Sequence, residues 1–351
     1  MGKYSDGDMI NRFLMTKLKK RIIYWLSMAT FLSCIYVLMG CSKGTSKGNS
    51  EDNGTTFHFT HEPSNAIYHW KTTFCPNTYE RDFIKSHQIK RMYLKFFDVG
   101  VDNMFDGEGE QAIPIATTIF KDSIKNVAGS DLDVVPVVFI TVDALRIGKS
   151  LCEKILRRVD DMCRAQHIEY HEVQLDCDWT KDTKEQFYSL CQEARRQLRQ
   201  GRKGLSATIR LHQLRDSLPD VDYGVLMLYN TESLHDPKVL NSILSSKVVS
   251  EYMRHAHSDK HLDFAYPTYE WTLWFKENRF MGILAQEDSV VERDGVLRHE
   301  RSDYKEIMET KSVLKKNLMN IGYPSSNIIY HLDSANLSKY SNHEIEKIYS
   351  L

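Results

Sequence analysis

Val173-Gln174-Leu175-Asp176-Cys177-Asp178-Trp179 alternates apolar and polar side chains along its whole length. In an extended chain successive side chains point to opposite faces, so Gln174, Asp176 and Asp178 share one face while Val173, Leu175 and Cys177 share the other. The run reads as a strand whose polar face carries two carboxylates with Cα atoms ~7 Å apart. Ionising one of such a pair opposes ionising the other, which predicts a raised pKa on one of them. A nearby cation such as Arg210 or Lys95 would instead neutralise them as a structural ion-pair network.

Outward from this strand the chain keeps switching between short β-rich runs and longer helical stretches, the pattern of an α/β fold. Strands are expected near residues 66–74, 92–98, 134–141, 170–178, 205–212, 223–229, 262–267 and 327–332. Helices are expected at 79–87, 116–124, 149–165, 184–200, 237–255, 302–319 and 342–349, and the 214–222 connection is too short for one. The runs VVPVVFI (134–140) and GVLML (224–228) are nearly all apolar, as in parallel strands covered on both faces. Eight such units fit a (β/α)8 TIM barrel over residues 58–351. A doubly wound open sheet is the alternative, but no Gly-rich phosphate loop follows the first strand. Between the seventh and eighth strands, Trp271-Thr272-Leu273-Trp274-Phe275, a turn at Glu277-Asn278, and residues 280–284 read as a β-hairpin. Its aromatics either overhang the barrel mouth or cover a helix, and the second reading is the simpler one.

The 351 residues are 42% hydrophobic and 26% charged, enough apolar material for a packed domain. Lys plus Arg number 46 against 47 Asp plus Glu, so no basic excess exists to hold a nucleic-acid backbone.

Lys17, Lys19, Lys20 and Arg21 precede an apolar run from Ile22 to Gly40, the order of a secretory signal. The run ends Leu38-Met39-Gly40-Cys41, which resembles a bacterial lipoprotein box with Cys41 as the lipidated thiol. Met15 also makes a conventional start for it. A bilayer-spanning anchor is the alternative. Residues 42–57 are polar and Gly-rich, a flexible tether. Removing residues 1–41, with six Lys/Arg and two Asp/Glu, leaves 40 basic and 45 acidic side chains. Cys75, Cys152, Cys163, Cys177 and Cys191 then remain, an odd number that excludes a complete disulfide framework. The expected location is the cell envelope, anchored to the outer membrane by lipid alone.

In a barrel the functional residues gather at the C-terminal ends of the strands. Here those ends bring Asp98, Asp143, Asp176, Asp178, Trp179, Arg210, His212, Tyr229, Tyr266, His331 and Asp333 to one rim. Leu175-Asp176-Cys177-Asp178-Trp179 resembles the chitinase-type glycoside hydrolase motif, in which Asp-Gly-X-Asp-X-Asp-X-Glu lies on the fourth strand of such a barrel. Asp176 and Asp178 match its second and third acids, Val173 stands at the first, and Thr180 stands where the family has its catalytic Glu. Through LDCDWT (175–180), TIRLHQ (208–213) and GVLMLYNT (224–231), the chain is also similar to uncharacterised bacterial lipoproteins assigned to glycoside-hydrolase-like barrels. That resemblance implies the fold and a carbohydrate partner.

If the chain hydrolyses glycosidic bonds, it needs a proton donor and a second carboxylate at a set distance. Asp178, nearest the mouth, is then the acid, beside Asp176, and Asp98 is the opposing carboxylate, with Glu232 a weaker choice. Arg210 and His212 would orient the acids or hold hydroxyls, and Trp179, Tyr229 and Tyr266 would be stacking platforms. A noncatalytic glycan-binding or scaffold lipoprotein is the rival, motivated by Thr180. The acidic loop of Asp102, Asp106, Glu108 and Glu110 lacks Ca²⁺-loop spacing, and His255, His257 and His261 with Asp259 and Asp263 read as a solvated helix end rather than a zinc site. No metal and no cofactor is expected. A Cys41→Ala chain is expected to lose incorporation of labelled palmitate and to leave the membrane fraction, measured by metabolic labelling and fractionation.

Overall fold

The computed structural model describes residues 57–102, 111–129, 131–148, 151–258, 260–284 and 294–350. The leader, Cys41, tether residues 42–56 and Asp106, Glu108, Glu110 and Asp259 lie outside the described residues. Eight parallel strands form the centre: β1 (Asn65–His69), β2 (Ile89–Asp102), β3 (Asp133–Ile140), β4 (Glu172–Asp176), β5 (Gly204–Arg210), β6 (Tyr223–Met227), β7 (His261–Pro267) and β8 (Asn327–Tyr330). Each pairs with its neighbours, and β1 bonds both β2 and β8, so the sheet closes into a (β/α)8 barrel. The open-sheet alternative is excluded. Past the barrel proper, β2 continues against the antiparallel strand Gln111–Ile115.

The outer layer comprises α1 (Thr78–Ser86), α2 (Leu151–Gln166), α3 (Lys184–Gln200), α4 (Ser246–Met253), α5 (Tyr304–Ile321) and α6 (Asn342–Tyr349), with shorter turns between. In α2, Leu151, Ile155, Val159 and Cys163 recur every four residues and are buried, one apolar stripe laid on the sheet. Each such side chain contributes roughly 1.5–3 kcal/mol on full burial. Asn77 opens α1 with a capping box to Glu80, satisfying amides that the first turn leaves unpaired. Cys152, Cys163, Cys177 and Cys191 are buried free thiols and Cys75 is an exposed one. Among the described residues no helix is long and apolar enough to cross a membrane.

Two expected helices are corrected. Residues 116–123 form no helix, and a short one begins only at Ile124 (Ile124–Ala128): Ile119–Phe120 pairs in parallel with Thr73–Phe74, and the Thr118 hydroxyl donates to the Lys95 carbonyl at 2.6 Å. Only Ser246–Met253 of the 237–255 stretch is helical. The preceding Asn241 and Ser242 are instead tied to Arg301 and Glu300. These two residues lie on the third strand of an antiparallel sheet (Glu270–Lys276, Arg279–Leu284 and Val296–Arg301) inserted between β7 and α5. The expected hairpin supplies its first two strands, and Glu277 and Asn278 make the turn with positive φ of 50° and 61°.

Residues N-terminal to β1 close the barrel floor. Phe59 packs so tightly over Gly204 that a Cβ there would sit 2.2 Å from its ring. His61 is stacked on Tyr223 with ring centres 3.9 Å apart. Its Nε2 lies 2.5 Å from Glu172 and its Nδ1 3.3 Å from Asp263, all three side chains being sealed from solvent. Burial lowers the imidazole pKa, but the charge of Glu172 and hydrogen bonds to Asp263 and Glu172 outweigh it, and the pKa is raised to about 9. Because the folded value exceeds the unfolded one, near 6.5, this stabilisation is complete below pH 6.5 and is lost as pH rises through about 9. His61→Ala strands two buried carboxylates and is expected to cost about 3–5 kcal/mol in urea unfolding at neutral pH. The fall in parent stability between neutral pH and about pH 9 should flatten in this variant.

Candidate functional site

The fourth strand delivers its polar face to the barrel interior. Gln174 accepts from the Tyr68 hydroxyl at 2.6 Å and donates to Ser206 at 3.2 Å. One layer nearer the mouth, the Thr208 hydroxyl donates to Asp176 Oδ1 at 2.5 Å. Arg210, one layer further along β5, donates from Nη2 to Asp176 at 3.3 Å and from Nε to Asp178 at 2.5 Å. Asp178 is 56% exposed while Asp176 is sealed at 2%. Two strands away and level with Asp176 in the register, Asp98 is held by Lys95, whose Nζ is 2.8 Å away. Thus the structure brings Asp98, Asp176 and Asp178 to one rim, with Lys95 serving Asp98 and a single guanidinium shared by the other two.

The raised pKa expected of the aspartate pair falls on Asp176. Burial pushes its carboxyl up, Arg210 pulls it down, the Asp178 charge pushes it up, and the net direction is upward. Arg210 also lies over the Tyr229 ring, 5.2 Å from its centre, which links the ion pairs to the neighbouring part of the mouth.

That neighbouring part is a cavity of about 760 Å³. Its aromatic side is built from Tyr229 after β6, Tyr269 after β7, Tyr330 at the end of β8 and Trp271 of the inserted sheet. Tyr229 and Tyr330 lie 4.6 Å apart, and Tyr269 and Trp271 5.3 Å apart, between ring centres. The Trp271 indole is fixed from below: its Nε1 donates to Glu300 at 2.7 Å, and the Ser242 amide and hydroxyl donate to the same oxygen. Arg298 pairs with the other carboxylate oxygen at 2.6 Å. The remaining lining includes Thr272, His299, Arg301, His331 and Asp333. Burial holds the His331 imidazole down at about 4, so it is neutral at physiological pH.

Several sequence-derived assignments are corrected. Tyr266 is buried beneath α5, with Lys311 5.5 Å from its ring centre; it falls on the outward face of β7, whose inward face carries Asp263. Trp179 is likewise turned outward, 3% exposed and edge-on to Tyr188 of α3, in phase with Val173 and Leu175. Neither is a stacking platform. His212 does not alternate with Arg210, because β5 ends at Arg210 and Leu211–Arg215 winds into a 3-10 turn. Glu232 lies in the loop after β6 and does not line the cavity. His261 and Asp263 sit at the floor, where His261 Nε2 and Asp263 Oδ1 receive the Ser325 amide. Of the hairpin's aromatics Trp271 lines the cavity at the mouth, contrary to the simpler helix-covering reading, while Phe275 and Phe280 pack on each other, on Arg298 and on His235. The third strand of the inserted sheet (Val296–Arg301), with His299, Glu300 and Arg301, gave no sequence signal of a site.

No family model and no curated protein matches the chain. Among solved structures it is similar to a chitinase from Chromobacterium violaceum, with a TM-score of 0.54 and 11% identity, covering 82% of this chain and 98% of that one. The two share the (β/α)8 barrel fold. Lower-scoring similarities include the Group IV chitinase of Ostrinia furnacalis (TM-score 0.49, 11% identity, 82% and 99% covered). Another is the chitinase ChiB of Flavobacterium johnsoniae (0.47, 14%, 82% and 94%). In the present barrel Val173 is fully buried, and Thr180 is an exposed loop residue whose amide donates to the Thr183 hydroxyl at 3.0 Å.

Removing the Arg210 guanidinium leaves Asp176 buried and uncompensated. Arg210→Leu is expected to lower unfolding free energy by about 3–5 kcal/mol at pH 7. The loss should shrink at about pH 4, because protonating Asp176, whose folded pKa is raised, removes the buried charge. Denaturant titrations at the two pH values check both statements.

Proposed function

We propose that this chain is a lipid-anchored, glycan-binding protein of the cell envelope that holds a saccharide against the aromatic side of its cleft without hydrolysing it. The observation that carries this reading is the state of the rim carboxylates: Asp176 and Asp178 are engaged by Arg210, and Asp98 by Lys95. A proton donor to a glycosidic oxygen must hold a transferable proton next to bound sugar. Thr180 supplies none at the position where the resembled motif has its acid. Beside these ion pairs, Tyr269, Trp271 and Tyr330 line the cavity with apolar ring surface suited to the C–H faces of a pyranose, with polar groups around them to orient it. The tether would begin at Cys41 and join the barrel at residue 57.

Hydrolysis is a second reading, favoured by one observation. Asp176 has a raised pKa and lies within electrostatic reach of both Asp98 and Asp178, an arrangement that suits acid chemistry. Screening the detergent-solubilised full chain against a panel of neutral and acidic oligosaccharides, for binding and for release of reducing ends, separates the two. Binding without new reducing ends is the expected result. Trp271→Ala should weaken binding by about three- to ten-fold, whereas Asp178→Asn should leave the melting temperature near that of the parent. Turnover that disappears in Asp178→Asn would establish hydrolysis instead.

A further inference from the structure

The cleft's charges do not cancel evenly. Three carboxylates line it, and each already has a cation: Glu300 has Arg298 at 2.6 Å, Glu270 has Lys339 at 2.5 Å, and Asp333 has Lys71 at 2.9 Å. His299 is hydrogen-bonded to Thr272 at 2.7 Å, and His331 is neutral. Arg301 differs. It is exposed at the end of the third inserted strand and is shared by the main cavity and an adjoining one of about 390 Å³. Its guanidinium has neither a hydrogen bond nor an ion pair among the described residues. The residue directly opposite it in the sheet, Glu270, is its natural partner, yet that carboxylate is taken by Lys339. In the adjoining cavity Asp303 and Glu344 accept the Glu306 and Ser341 amides as helix caps, at 3.0 and 2.8 Å, and Lys305 is directed at Glu309, 3.8 Å away.

We infer that the cleft selects anionic glycans, with Arg301 reading a carboxylate or sulfate substituent while the neighbouring aromatic side chains hold the sugar ring. This deepens the glycan-binding reading and rests on it. A planar guanidinium offers paired N–H donors matched to either oxyanion. Its place where the two cavities meet lets it reach a substituent on a sugar seated in the larger one. On the side of the larger cavity Glu300, Glu270 and Asp333 are each paired with a cation and His331 is neutral, whereas Asp303 and Glu344 of the adjoining cavity are only helix caps, so the anion is received from the larger cavity.

The test uses the detergent-solubilised full chain and two matched pairs: oligogalacturonate against its methyl ester, and dextran sulfate against dextran. Calorimetric titration is expected to show one charged member binding at least about ten-fold more tightly than its neutral partner, the scale of one charge-assisted contact. Arg301→Gln should erase that difference and Arg301→Lys should retain part of it, with thermal melts confirming that both variants fold. The arm that responds tells carboxylate from sulfate. Equal affinity for charged and neutral members, or a preference that survives Arg301→Gln, overturns the inference while leaving glycan binding intact. Failure of every acidic and neutral saccharide to bind overturns the glycan-binding reading together with it.

Discussion

Ring closure is the constraint from which the rest follows. Because β1 bonds β2 on one side and β8 on the other, no edge strand is left in the central sheet and half of each strand's side chains must fill an enclosed interior. That interior is unusually polar. Tyr68, Gln174, Ser206, Thr208 and Asp176 are each sealed from water and survive there because each finds a partner on another strand, adjacent or across the interior. The floor is treated the same way, with a histidine placed between two acids. A polar interior that is closed below can communicate with solvent only at the opposite end.

Arg210 governs that end. One guanidinium serves an exposed aspartate, a buried one and the face of Tyr229, so the acids of the fourth strand are tied into the framework of the mouth. Opposed effects act on Asp176: burial favours the neutral acid, whereas Arg210 favours the carboxylate. Burial prevails in direction, though the guanidinium keeps the carboxylate tolerable. The consequence is a rim whose ionisable groups are occupied with each other, beside a cleft lined by aromatic rings.

The eight strands were legible because fully covered parallel strands leave apolar runs that no surface segment imitates, VVPVVFI above all. The inward set Gln174, Asp176 and Asp178 was legible from alternation alone. The same alternation already pointed Trp179 outward with Val173, Leu175 and Cys177, and weighing it as a platform ignored that phase. Tyr266 failed for the same reason, since Asp263 on the same strand marks the inward register. The 237–255 stretch misled because Asn241 and Ser242 within it are held by hydrogen bonds to a strand some sixty positions later, a tertiary effect that overrides local preference. The cleft itself combines β6, β7 and β8 with a third strand that has no periodic signature of its own, so no window of sequence contained it.

The inserted sheet is attached through a narrow neck. It leaves β7 just past Pro267 and rejoins at Ser302, whose amide donates to the Tyr269 carbonyl at 3.1 Å. A segment with adjacent ends, carrying one whole side of the cleft, can change in length and composition while the eight-stranded frame keeps its own hydrogen bonds. The architecture thus divides the labour: the closed frame keeps the shape, and a visor hinged on one narrow neck decides what that shape meets.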